Sequence, residues 1–102
     1  MKLILEETDI QNVEDQFIKV GYHQNKIYFQ SSIFNMAEES EIEYINNIIL
    51  GCNDFFKFEN YFLVVTYDNE YYTERNAYLE GLYLVGYIEG YLKEIHMRKR
   101  NE

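Results

Sequence analysis

The segment Tyr61-Phe62-Leu63-Val64-Val65-Thr66-Tyr67 places apolar side chains on both alternating faces of an extended chain. A strand tolerates that pattern only where both sides are covered, so the segment predicts an interior position in a sheet, or one face met by a partner. The rest of a 102-residue chain must be arranged around that need. A chain of this length makes a single domain, and near this size a domain buries roughly 60–70% of the surface its unfolded form exposes. With 47% hydrophobic and 18% aromatic residues the chain can fill one core. Disordered chains lack the aromatic and β-branched residues that offset ordering entropy, so disorder is not expected before the last few residues.

Phe55 to Phe58 precedes the apolar segment across Glu59-Asn60, which predicts a hairpin. Phe17 to Tyr22 and Ile27 to Gln30 alternate around His23-Gln24-Asn25-Lys26 and predict another, without the strong Asn-Gly turn signal. Lys2 to Glu6 reads as a short strand, and Thr8 to Asp15 as a loop or a short helix capped by Thr8 or Asp9. A helix follows the first hairpin: Ser40 and Glu43 have capping-box spacing, with Asn35 and Glu38 an earlier start of the same kind. Ile42, Ile45 and Ile49 share a face, and Gly51 stands at the C-terminal cap. From about Tyr71 to Lys99 the pattern is one long helix. The expected fold is α+β, a small antiparallel sheet of four to five strands with two helices in the order βββαββα. It forms one domain over residues 1–102, with a short basic tail from about residue 97.

At about 100° per residue, Tyr78, Gly81, Leu82, Val85 and Leu92 of the long helix cluster on one side, with Ile88 and Ile95 on its flank. That side is the expected core face. Opposite it, Tyr83, Tyr87 and Tyr91 form an i, i+4, i+8 row flanked by Asn76, Glu80 and Glu94. The row is either a surface for a partner or a second buried face covered by the first helix or the start of the chain. Ala77, Gly81, Gly86 and Gly90 add small residues that suit close approach of another backbone, from within the chain or from a second copy, or else a bend.

Charge carries the functional signal. The chain has 18 Asp and Glu against 9 Lys and Arg, a net charge of −9, which exceeds the magnitude of roughly 2–8 that solubility alone recommends. Residues 1–92 hold 16 acids and 5 bases, near −11, whereas residues 93–102 hold 4 bases and 2 acids, near +2. Cations at the end of a helix complement its dipole. Glu38, Glu39, Glu41 and Glu43 oppose the positive end of the first helix, and the same run can stand in for phosphates. A negative surface is repelled by anionic lipid and by nucleic acid, so neither is an expected direct partner.

Chemistry is poorly provided for. His23 and His96 are the two histidines, and neither has a second His or Cys at metal-ligand spacing. The single Cys52, beside Gly51, is expected as a small buried hydrophobe; it excludes an internal disulfide framework and agrees with a reducing cytoplasm. The five glycines form no phosphate-binding loop, and Asp68-Asn69-Glu70 lacks the remaining spacing of a calcium loop. No enzyme, cofactor or metal is therefore expected. The start, Met1-Lys2-Leu3-Ile4-Leu5-Glu6-Glu7, is too short in apolar residues for a secretory signal, and no apolar run approaches a membrane span.

The expectation is a small cytoplasmic binding protein. Its acidic, Tyr-rich face, made of Glu80, Tyr83, Tyr87, Tyr91 and Glu94 with Glu38, Glu39, Glu41 and Glu43, would occupy the nucleic-acid groove of a Lys/Arg-rich enzyme. Phage anti-restriction and anti-CRISPR proteins act in that way in the host cytoplasm. A cellular immunity protein that neutralises a nuclease toxin, and a homodimer or adaptor assembled through the long helix, are the alternatives.

Overall fold

A computed structural model describes residues 9–13 and 16–101, with side chains from Ile18 to Met97. Strands β1 (Asp9–Val13), β2 (Gln16–His23), β3 (Lys26–Ser31), β4 (Phe56–Glu59) and β5 (Phe62–Thr66) form one antiparallel sheet in the order β1-β2-β3-β5-β4. Helix α1 (Glu39–Tyr44) runs directly into a π-helical turn, Ile45–Ile49, and helix α2 spans Glu74–Asn101. The fold is α+β in the order βββαββα.

The doubly apolar segment becomes β5, held between β3 and β4. Register pairs Ile27 with Val65 and Phe29 with Leu63, and all four are 0% exposed on the face that meets α2. On the opposite face Val64 lies across from Tyr28, and these are 3% and 6% exposed. The Tyr28 ring stands edge-on to Phe62 at 6.1 Å, so the second face is covered without a partner. Burial, and then the Glu59 carboxylate, push the Tyr28 phenol up from its ordinary value. Between β4 and β5, Asn60 and Tyr61 both take positive φ, 53° and 64°, the pair of left-handed residues that a two-residue hairpin of matching twist requires.

Two sequence expectations shift here and a third is not reached. The strand expected at Lys2 to Glu6 lies outside the described residues. Thr8 to Asp15 is not a helix or a loop throughout: Asp9–Val13 is β1, paired from Asp9↔Val20 to Val13↔Gln16. It is an outer strand, where polar side chains are tolerated and where pairing with β2 overrides weak propensity. The first helix starts at neither anticipated cap. Glu38 is its N-cap, and the Glu41 carboxylate accepts the Glu38 backbone N–H at 2.8 Å. At the other end, Gly51 follows the π-helical turn at φ +64°, as a left-handed cap does.

Asn46 ties this helical segment to the sheet. Its side-chain amide donates to the Phe58 carbonyl at 2.9 Å and accepts the Phe58 N–H at 2.8 Å, while the N–H of Phe56 goes to the Asn53 carbonyl at 3.1 Å. Helix α2 is introduced by a loop in which Asp68 Oδ1 accepts the N–H groups of Glu70, Tyr71 and Tyr72 at 2.9 to 3.0 Å. Those bonds, the Tyr72 N–H first, hold the Asp68 carboxyl below its ordinary range. Thr73 Oγ1 then accepts the Asn76 N–H at 3.2 Å, supplying the cap. Val85 and Leu92 of the expected core face and Ile88 of its flank pack fully buried, with Ala77 beside them, whereas Tyr78 and Leu82 are half-buried, so the core side of the helix is turned toward Ile88. The helix continues through residue 97, so the basic stretch extends it to Asn101.

Candidate protein-binding face

The long helix separates its tyrosines. Tyr83 and Tyr87 are 68% and 59% exposed, each turned away from the sheet. Tyr91 is half-buried and stacks on Tyr44 of α1, with ring centroids 4.8 Å apart and planes at 19°. That contact joins α1 to the C-terminal half of α2, because Tyr44 is the last residue of one helix and Tyr91 lies on the outward row of the other. The Tyr91 phenol is pushed up by burial first, then by the carboxylate of Glu41 and by Tyr44.

Glu80 and Glu94 are exposed along the same side of α2, and Glu38, Glu39 and Glu43 are exposed on and before α1. Glu41 is not part of that surface. Only 5% exposed, it turns inward with one carboxylate oxygen on the Glu38 N–H and 3.5 Å from Nε2 of His96 on α2. Four acids in a run look alike in sequence, yet the one at helix position N3 is committed to the cap and to the seam between helices.

Between the two helices lies a groove of about 430 Å³. Tyr44 and Ile49 form its α1 wall, and Gly86, Tyr87, Gly90, Tyr91 and Glu94 line it from α2. A methyl group built on either of these glycines would have nothing within 4 Å among the described residues. Gly81 is different, because a methyl there would overlap the Phe29 ring. Tyr44 and Ile49 went unassigned in the sequence because the wall exists only once α1 packs on α2; Ile49 reads there simply as part of the apolar face of its own helix.

The remaining polar groups do not converge. Ser31 Oγ donates to Glu89 at 2.5 Å in a buried contact between β3 and α2. Cys52, expected inside, is exposed: its φ of 51° after Gly51 swings the chain outward, and Sγ lies 3.2 Å from Asn47 Oδ1. Among the described residues no group of three or more His, Cys, Asp or Glu side chains is arranged to hold a metal ion, and no helix is long and apolar enough to cross a membrane. No known protein family, curated protein or solved structure matches the chain.

Proposed function

We propose that this protein works by binding and transforms nothing itself: it is a stoichiometric inhibitor that occupies the basic, nucleic-acid-binding surface of a Lys/Arg-rich target protein in the cytoplasm. The observation that carries the reading is the pair of exposed rings, Tyr83 and Tyr87, set beside the exposed carboxylates Glu80 and Glu94 on a helix whose other side is core. Tyrosine brings large contact area at low entropic cost, and a field of one sign steers an oppositely charged protein. Carboxylates take the place of phosphates and phenolic rings that of bases. Glu38, Glu39 and Glu43 extend the same negative field from α1. Anti-restriction and anti-CRISPR proteins of phages and immunity proteins against nuclease toxins fall within this class.

The test is capture of a nucleic-acid-binding protein by the wild type, compared with a Tyr83→Ala, Tyr87→Ala variant, with salt and competing DNA or RNA as added variables. Because both rings are exposed, the variant keeps its fold. Retention of the target by the variant, or binding that is indifferent between low and half-molar salt, refutes the reading.

A second reading, self-assembly, is favoured by Leu79 and Met97, 53% and 63% exposed. They fall within about 40° of Gly86 and Gly90 around the helix axis, an outward line on which a second helix can lie. Light scattering of the concentrated protein tests it, and a strict monomer excludes it.

A further inference from the structure

We infer that the hollow between the C-terminal half of α2 and the 3-10 turn Ser32–Met36 is a site for a soft monovalent metal ion, Cu(I), held by the thioethers of Met36 and Met97 and the imidazole of His96. The site stands apart from the acidic binding face and needs no protein partner.

The donor set carries the inference. Ile33, Met36, Lys93, His96 and Met97 line the hollow, which has a volume of about 180 Å³. The chain has 3 Met and 2 His, and two of the first meet one of the second here. Methionine commonly enters a fold as a flexible filler of core gaps. These two fill no core, because Met36 is 45% and Met97 63% exposed. Thioether sulfur is a soft, polarisable donor that selects Cu(I), and imidazole binds copper as well. Carboxylates and carbonyls suit Mg²⁺ and Ca²⁺ instead, and Zn²⁺ takes Cys, His, Asp and Glu. Methionine falls outside the His, Cys, Asp and Glu set, so the lack of such a cluster among the described residues does not bear on this site.

The surroundings of His96 fit the role. Its side chain is 17% exposed, and Nε2 is buried 3.5 Å from Oε1 of Glu41 with no hydrogen-bond partner among the described residues. A carboxylate at that nitrogen favours the tautomer with its proton on Nε2, which leaves the Nδ1 lone pair for a ligand. Ligating imidazoles are oriented in this way, by a carboxylate behind the other nitrogen. Coordination makes the remaining N–H a stronger donor and so favours closing the long Nε2–Oε1 contact. A net charge of −9 draws a cation to the molecule, and Lys93 carries its own charge on a stem long enough to reach water.

Cys52 is the competing soft ligand, exposed on another part of the fold, so the titration uses the full-length protein carrying Cys52→Ser. Cu(I) is added without oxygen, under ascorbate, against a coloured Cu(I) chelator, and Ag(I) replaces it for NMR of isotope-labelled methionine methyl groups. A single ion is expected to bind, shifting the Met36 and Met97 methyls and the His96 ring while His23 stays still. Met36→Leu, Met97→Leu and His96→Gln should each weaken binding at least about tenfold. The two leucine variants conserve volume and keep the fold. Zn²⁺ should move neither methyl. Cu(I) binding that vanishes with Cys52→Ser, that survives both leucine variants, or that leaves the methionine methyls unmoved overturns the metal site and leaves the acidic binding face untouched.

Discussion

Three glycines on one helix should respond to the same substitution with opposite signs. Gly86→Ala and Gly90→Ala add a methyl into open space, so each should stabilise the fold by the propensity difference of about 0.5–1 kcal/mol. Gly81→Ala gains the same propensity but drives its methyl into Phe29, a ring that is 0% exposed and packed beside Tyr78 at 6.1 Å. Overpacking of a closed core costs about 1–3 kcal/mol, which outweighs the propensity gain and leaves a net loss of up to about 2.5 kcal/mol. For a domain of this size each kcal/mol moves the melting temperature by roughly 4–8 °C. Urea unfolding followed by far-ultraviolet circular dichroism would read the effect as midpoints displaced in opposite directions at constant slope. A Gly81→Ala protein as stable as the wild type would refute the close approach of α2 to Phe29. Destabilised Gly86→Ala and Gly90→Ala proteins would show instead that those positions are covered in the monomer.

Asn46→Ala leaves the Phe58 N–H and carbonyl without their amide partner and should cost about 1–3 kcal/mol, measured by the same unfolding assay; an unchanged midpoint would mean that water replaces the amide without loss. Ser31→Ala removes the one hydroxyl donating to buried Glu89 and should cost a similar amount of about 1–3 kcal/mol, whereas Ser31→Thr, which retains a hydroxyl, should recover part of it. Burial first, and the Glu80 carboxylate second, push the Tyr72 phenol up to about 12. Its folded value lies above the unfolded one near 10, so its contribution to stability is complete below about pH 10 and is lost as pH rises toward about 12. Absorbance at 295 nm should show a late-ionising fraction of the tyrosines, and Tyr72→Phe should reduce it.

Patterns that depend on burial alone were legible in the chain. The apolar run at Tyr61 to Tyr67 announces an interior strand because no exposed strand can carry it, and the core side of α2 follows from 3.6-residue periodicity. Positions decided by competition between equivalent residues were not. Glu38, Glu39, Glu41 and Glu43 are interchangeable on paper, and only the packing of α1 on α2 selects Glu41 for the interior. Asp9–Val13 carries too little apolar signal to declare itself a strand, since its pairing with β2 supplies what its side chains do not. Cys52 follows the general tendency of cysteine to be buried until the backbone at Gly51 and Cys52 turns left-handed. The Tyr row held two answers at once: Tyr83 and Tyr87 face outward, and Tyr91 is claimed by Tyr44 from an element 47 positions earlier in the chain.

The amide of Asn46 presents to Phe58 the donor and acceptor that a foreign polypeptide would bring if it sought to lengthen the sheet beside β4. With that place already taken, and the Phe56 N–H engaged by Asn53, recruitment by backbone templating is blocked along this flank. The chain is thereby guarded against amyloid-like stacking on that flank, and recognition there is left to side chains.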